Sequence, residues 1–392
     1  MLSKKGRFRV NQRSIFWLSN HSLSILSASR LFNIPPMQTW IEINKKALLN
    51  NISQIKKQLK PKVKFMAVLK SNAYGHGLLE IVSSIQNEVD YLAVFSLEDA
   101  IFLRKQGVKK PLLVMSRISS EQINLAIKHD IEVTISTFDI LKKAKKNLKA
   151  HICVDTGMGR DGFVSSDLKK LSALLKKTPL KLCGVYAHFA AADKTKFDDY
   201  SQKQIQELLR WQEELNCPLV HHSASARTIY GKNYPDFNMV RIGISLYGLW
   251  PSSQREKSVK LEPVLSWRVK IAELKSLPKG SAISYECTHI LERDSKIAVL
   301  PIGYYDGIAR ISSGKSQMIL RGKKVPQIGR VTMNLIVIDV TDVKEAKIGD
   351  VVTIIGKDGK SEITADDWAE WSQTINYEVV ARLNSAITRV QS

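Results

Sequence analysis

Five polar or basic side chains stand directly after, or at the ends of, short apolar runs, where a buried rim could gather them. Lys70 follows Val63 to Leu69 and opens Lys70-Ser71-Asn72-Ala73-Tyr74-Gly75-His76-Gly77; Arg160 lies in the glycine-rich turn Asp155 to Gly162. His188 follows Leu182 to Ala187, Ser225 closes Ser223-Ala224-Ser225, and Arg241 begins Arg241-Ile242-Gly243-Ile244. A desolvated lysine has a lowered pKa, which makes its amine a usable nucleophile. The hydroxyl of Ser225, with backbone N–H groups near Gly243, could cradle a phosphate. An amine and a phosphate cradle together suit a phosphorylated, carbonyl-bearing cofactor. Pyridoxal phosphate has both handles, but a lysine aldolase acting on a sugar phosphate needs the same two, so these residues alone leave both readings open. Singly, each residue has an ordinary explanation: a surface lysine, a paired arginine, a structural histidine, a helix-capping serine. Five of them at run ends argue for one site.

The runs themselves say what must hold such a site. Val63–Leu69, Tyr91–Phe95, Leu112–Met115, Val133–Ile135, His151–Val154, Leu182–Ala187, Leu219–His222 and Met239–Ile242 are eight apolar bursts separated by amphipathic stretches. One of those stretches starts with Ser96 and Asp99 in capping positions and stops at Gly107. Continuous apolar strands alternating with helices predict parallel pairing with both faces covered, and eight such units predict a (β/α)8 barrel. In that fold, functional groups sit at the carboxyl ends of the strands, where these five side chains fall. From Val264 the pattern changes to β-branched, partly alternating segments at Val264–Ala272, Lys296–Pro301, Gln317–Leu320 and Asn334–Val340, closed by helical patterns at Thr364–Trp371 and Tyr377–Leu383. The expected fold class is thus α/β, an N-terminal TIM barrel over 37–263 followed by a mainly antiparallel β domain over 264–392.

Residues 1–36 are set apart. They hold six basic residues, many serines and no acid, and a well-patterned segment begins at Met37. The first reading is a misassigned start, ahead of a transit peptide and then a secretory signal. The composition, 44% hydrophobic and 24% charged, excludes a disordered, collagenous or coiled-coil chain. The excess of basic residues, 59 − 37 = 22, is spread over surface pairs such as Lys142-Lys143 and Lys176-Lys177, which leaves nucleic-acid binding a remote alternative. Four scattered cysteines, Cys153, Cys183, Cys217 and Cys287, have no metal spacing and read as free thiols in a reducing compartment, the cytoplasm.

Val68 to Gly77 resembles the cofactor-lysine motif of alanine racemases, and the resemblance extends from Met37 to about Val390. It runs through Val154–Gly162, Ala187–Ala190, Met239–Gly248, Ile283-Ser284-Tyr285, Pro301–Gly307, Gly329–Asn334 and Thr374–Glu378. The resemblance implies pyridoxal 5'-phosphate, a head-to-tail homodimer with shared active sites, no metal, and interconversion of L- and D-alanine that supplies peptidoglycan synthesis. It makes Lys70 the cofactor lysine and the base for the D-face. Tyr285 from the partner subunit becomes the base for the L-face, tuned through His188 and Arg241, with Arg241 facing the pyridine nitrogen. Arg160 and Met333 then bind the substrate carboxylate, Tyr304 narrows the entrance, and Tyr74, Ser225, Gly243, Ile244 and Tyr377 contact phosphate. The sequence departs from the family pattern in three places, one of them the weakened arginine-rich ending, here Ser385-Ala386-Ile387-Thr388-Arg389. Cys153 replaces a lysine that is commonly carbamylated beside the arginine, and Thr332-Met333-Asn334 replaces Cys-Met-Asp. Both leave room for a racemase of wider substrate range. A cofactor carrier without turnover is the competing class, and it would have no use for Tyr285.

Overall fold

The computed structural model describes residues 38–230, 237–252 and 259–392, and Thr39 to Ser392 forms one compact unit. Its first strand, β1 (Thr39–Ile43), is followed by a helix, Lys45–Lys56, that starts where the Asn44 side chain accepts the Ala47 N–H. Eight strands then come in turn: β2 (Lys64–Val68), β3 (Tyr91–Val94), β4 (Leu112–Arg117), β5 (Glu132–Ile135), β6 (Lys149–Cys153), β7 (Lys181–Tyr186), β8 (Leu219–His221) and β9 (Met239–Ile242). They pair side by side in the order β8-β7-β6-β5-β4-β3-β2-β9, and every pairing is parallel. The result is a nearly closed barrel, with the eight strands that the apolar bursts predict. Phe65, Met66, Leu92, Ala93, Leu112 and Val114 have no exposed surface, as strands packed on both faces require. Ser96 caps the helix Leu97–Lys105 by accepting the Asp99 N–H, and Gly107 follows that helix with a positive φ of 84°.

The second sheet is mainly antiparallel. Its strands are β10 (Leu265–Lys270), β11 (Glu273–Leu277), then β14 (Ser295–Leu300) after the small β12 (Ala282–Ile283) and β13 (His289–Ile290) hairpin. β15 (Gln317–Leu320), β16 (Lys323–Ile328), β17 (Ile336–Asp339), β18 (Val351–Asp358), β19 (Ser361–Ile363) and β20 (Thr388–Gln391) complete it. The order is β11-β14-β17-β16-β15-β18-β10-β1-β20, with β19 on β18. β1 is thus built into this sheet, antiparallel to β10 and parallel to β20, although the sequence groups it with the barrel. Ile41 and Ile43 are fully buried there. The two ends of the compact unit therefore lie side by side, and the last strand is anchored close to the turn that carries Lys70.

Candidate active site

Lys70 stands two residues beyond the end of β2, and the backbone after it is unusual. Ser71, Asn72, Ala73 and Tyr74 all have φ between +52° and +56°, a left-handed turn that costs about 1–2 kcal/mol per residue for side chains other than glycine. Such strain persists only where the surroundings enforce it. The enforcement is visible: the Asn72 side chain accepts the Leu78 N–H, and Arg389 of β20 donates from Nε and Nη2 to the Gly75 carbonyl at 3.2 and 2.9 Å. Gly75 packs so closely that a Cβ would overlap the Val380 carbonyl. The turn points the Lys70 amine into the barrel mouth and places the Tyr74 ring 5.2 Å from that of Tyr247 and 6.3 Å from that of Tyr377.

Two adjoining cavities meet at Lys70. One, of about 460 Å³, is lined by Lys70, Phe95, Met115, Cys153, Arg160 and Arg241 among others. The other, about 320 Å³, shares Lys70, His188 and Arg241 with it and extends to Tyr74, Ser225, Gly243, Ile244 and Tyr377. The barrel residues chosen from sequence are thus together, joined by Tyr377 from the helix Asn376–Ala381. Burial, with the positive charges of Arg160 and Arg241, lowers the Lys70 pKa. At the far end, Ser225 Oγ accepts the N–H groups of Gly243, at 3.0 Å, and Ser245. The Gly243 N–H is therefore engaged, and the hydroxyl hydrogen of Ser225 is the donor left for a ligand. A Cβ on Gly243 would lie 2.4 Å from the Tyr74 hydroxyl, so glycine is what lets the tyrosine reach this cradle.

Arg241 borders both cavities, is buried, and has both Nη atoms engaged. Nη1 donates to His221 Nδ1 at 2.9 Å and to the His221 carbonyl at 2.7 Å; Nη2 donates to the Ala187 carbonyl at 2.7 Å and His188 Nδ1 at 3.1 Å. Guanidinium only donates, so His188 Nδ1 is the acceptor and its ring hydrogen sits on Nε2. Burial, then the charges of Arg241, Arg160 and Lys70, push the His188 pKa down to about 3, which keeps the ring neutral. Burial also brings Arg241 down to about 10, still a cation at neutral pH.

The turn bearing Arg160 is organised by Asp155, whose carboxylate accepts the N–H groups of Gly157, Met158, Gly159 and Arg160. Partial burial raises the Asp155 pKa, but the four donors outweigh it and the net shift is downward. Cys153 gives this turn no charge: burial raises its thiol to about 11, and Sγ donates to the Asp161 carbonyl at 3.7 Å. Asp161 instead pairs with Arg117 at 2.6 Å, and Arg160 stays exposed.

Tyr285, Tyr304 and Met333 line neither cavity. They are 67%, 43% and 55% exposed, on loops of the second sheet tied to one another. The Tyr304 N–H donates to the Thr332 carbonyl, the Tyr305 N–H to that of Met333, and the Ser284 hydroxyl to that of Arg330. Within one chain these residues are not brought to Lys70. Conversely, residue types and spacing missed Glu132, His151 and His221, which lie within apolar runs or beside them, and Arg389, which lies far from the motif in sequence. A polar residue inside an otherwise apolar strand is the one signal that points to His151 and Glu132.

A parallel barrel that gathers a lysine, two arginines and a histidine around the cavities at its mouth has the build of a binding site. Comparison makes the class particular. Residues 43–251 match the model of the alanine racemase N-terminal domain, and residues 264–391 that of the alanine racemase C-terminal domain. Alanine racemase 2 of Caldanaerobacter subterraneus subsp. tengcongensis is 37% identical over 368 residues, covering 90% of this chain and 94% of the relative. The alanine racemase of Leptospira interrogans serovar copenhageni is 38% identical over 374 residues, covering 90% and 95%. Among solved structures, alanine racemase of Clostridium difficile 630 superposes with a TM-score of 0.85 at 31% identity, covering 91% of this chain and 96% of that one. Alanine racemase of Bacillus anthracis with bound L-Ala-P gives 0.83 at 35% identity, covering 91% and 95%. The chain belongs to the alanine racemase family.

Proposed function

We propose that this protein interconverts L- and D-alanine with pyridoxal 5'-phosphate held at Lys70, and that the D-alanine serves peptidoglycan synthesis in the cytoplasm. The carrying observation is that two cavities share the lowered Lys70 amine and that one of them reaches the Ser225–Gly243 cradle. The fit of these residues to the cofactor rests on that amine, the free hydroxyl hydrogen of Ser225, and the Gly243 position where a Cβ would fill the cradle. When bound, the cofactor withdraws electrons from the α-carbon of the amino acid and makes its proton removable.

The protein's own groups then do the rest. Racemisation removes a proton from one face of the α-carbon and returns one to the other, so two bases are needed. Lys70 serves the D-face, its lowered pKa providing more free amine near neutral pH. Tyr285 from a second copy of the chain serves the L-face. A phenol has a pKa of about 10, so it needs help to act as a base. Nε2 of His188, which carries the ring hydrogen because Arg241 occupies Nδ1, can donate to the phenol oxygen and favour its ionised form. Arg241 is held by five donated contacts and has no proton to exchange at neutral pH, so it leaves the cofactor ring nitrogen without an acid. Arg160 supplies positive charge for the substrate carboxylate, with the backbone at Met333 of the second copy completing the binding. Tyr304 of that copy narrows the entrance. The exposed, mutually tied loops of Tyr285, Tyr304 and Met333 support this docking of one copy onto the other.

The test is α-proton exchange. Purified protein supplied with the cofactor should incorporate deuterium from solvent into L-alanine and convert it to the racemate, more slowly with L-serine and larger amino acids. Lys70→Ala should lose both exchange and the visible absorbance of bound cofactor. Cofactor binding with no exchange would make the chain a carrier instead.

A further inference from the structure

Behind Arg241, on the side away from His188, a line of polar side chains crosses the barrel interior. Arg241 Nη1 meets His221 Nδ1 at 2.9 Å, His221 Nε2 meets His151 Nδ1 at 2.9 Å, and His151 Nε2 meets Glu132 Oε2 at 2.7 Å. All four residues are buried, with relative exposures of 2% for Arg241, 0% for both histidines and 6% for Glu132. They come from β9, β8, β6 and β5, so the line steps across strand β7. It can do so because β7 has Gly184 at the crossing, where a Cβ would lie 2.7 Å from His151 Nδ1. The ring of Tyr186 stacks on that of His221 at 4.8 Å, and the His151 ring meets His221 edge-on at 5.0 Å.

The donors and acceptors in this line can be arranged in one way. Guanidinium has only hydrogens to give, so His221 Nδ1 must accept. Burial, then the Arg241 charge, holds His221 well below its ordinary pKa, so the ring is neutral and its hydrogen is on Nε2. That hydrogen goes to His151 Nδ1, which leaves the His151 hydrogen on Nε2, pointing at the Glu132 carboxylate. A cation at one end and an acid at the other thus impose the same tautomer on both rings. Among the described residues Arg241 makes no direct ion pair, and Glu132 is the acid that faces it through the two imidazoles.

We infer that Glu132, His151 and His221 are positioning residues that fix the orientation of Arg241, and through it the tautomer of His188, by a polarised buried hydrogen-bond line that starts at Glu132. They touch neither cavity and act only through Arg241. The consequence for catalysis rests on the racemase reading above, whereas the tautomer pattern does not. Buried polar lines of this kind strengthen link by link when every member is satisfied, and loosen as a unit when one end is removed.

The experiment is histidine-ring 15N NMR on the full-length protein, with and without cofactor, together with kinetics of Glu132→Gln. The expected wild-type result is neutral, Nε2-protonated rings for His151, His221 and His188 at neutral pH. An Nδ1-protonated or doubly protonated His221 overturns the inference, and this measurement needs no variant to fold. In Glu132→Gln, resonances of His151, His221 and His188 should all move, kcat should fall roughly 10-fold or more, KM should stay within about twofold, and cofactor should still bind. Movement confined to His151 would also overturn it, because the line would then end before Arg241. Stoichiometric zinc that shifted the His151 resonance would count against it too, because Glu132, His151 and Cys183, whose ligand atoms lie within 4.8 Å of one another, would then form a metal site. Inactive wild-type protein with the expected tautomers would instead sink the racemase reading and leave the positioning line in place.

Discussion

The Tyr74 hydroxyl can approach the cradle because residue 243 lacks a Cβ, and the tyrosine ring has little freedom to retreat between Tyr247 and Tyr377. Gly243→Ala should therefore weaken cofactor binding by about 1–3 kcal/mol, roughly 5- to 150-fold in Kd, the usual cost of overpacking. Absorbance titration of the stripped protein would check it, and an unchanged Kd would refute the cradle. The histidines make a second prediction. Burial pushes His76 down to about 4 and His188 to about 3, and holds His221 and His222 well below their ordinary range. In the unfolded chain each titrates near 6.5. Above that pH neither state binds the protons, so their stabilising contribution is fully present; below it the unfolded chain takes up protons that the folded one refuses, and stability falls with pH. Four such groups give a slope of up to about 5 kcal/mol per pH unit near pH 5.5, above the carboxylate range. Denaturant unfolding between pH 5 and 7 measures this, and a flat profile would contradict the burial of these rings as neutral groups.

The turn after β2 shows how a strained segment is held in place by a distant one. Four successive left-handed residues carry Lys70 into the mouth, and Arg389 on β20 closes on the Gly75 carbonyl while also donating to the Asn384 carbonyl at 2.7 Å. Arg389→Met keeps the aliphatic stem but leaves these buried carbonyls unpaired. It should cost about 2–4 kcal/mol, with cofactor released at a lower temperature than in the wild type; thermal melts followed by cofactor absorbance would show it. Sequence alone reveals part of this. The barrel strands are readable because each is a local apolar run, and the mouth residues because they end such runs. The place of β1 in the second sheet is not, since its partners β10 and β20 lie more than 200 residues away and a local pattern does not name a remote partner. The interior line fails for the opposite reason: Glu132, His151 and His221 share strands with apolar neighbours buried on both faces, so no polar–apolar alternation marks which of them point inward. Tyr285, Tyr304 and Met333 are accessible through resemblance only, because their proposed task lies in another copy of the chain.

The proposed sharing of sites between two copies makes a quantitative prediction. In a symmetric dimer each site takes Lys70 from one copy and Tyr285 from the other, so Lys70→Ala and Tyr285→Phe homodimers are each defective at both sites. A mixed dimer distributes the lesions unequally: one site receives both substitutions, and the other receives intact Lys70 and intact Tyr285. Random re-pairing of equal amounts makes half the dimers mixed, and half the sites in those dimers are whole. Denaturing and refolding the two variants together should thus restore about a quarter of wild-type activity, whereas mixing without exchange should restore none. The exposure of Tyr285, Tyr304 and Met333 and their absence from the cavities around Lys70 in one chain are what motivate the experiment. Sedimentation must show a dimer under the assay conditions. If the exchanged mixture remains as inactive as its parents while a dimer forms, Tyr285 does not serve the neighbouring site, and the second base must be sought among the residues that already line the mouth with Lys70.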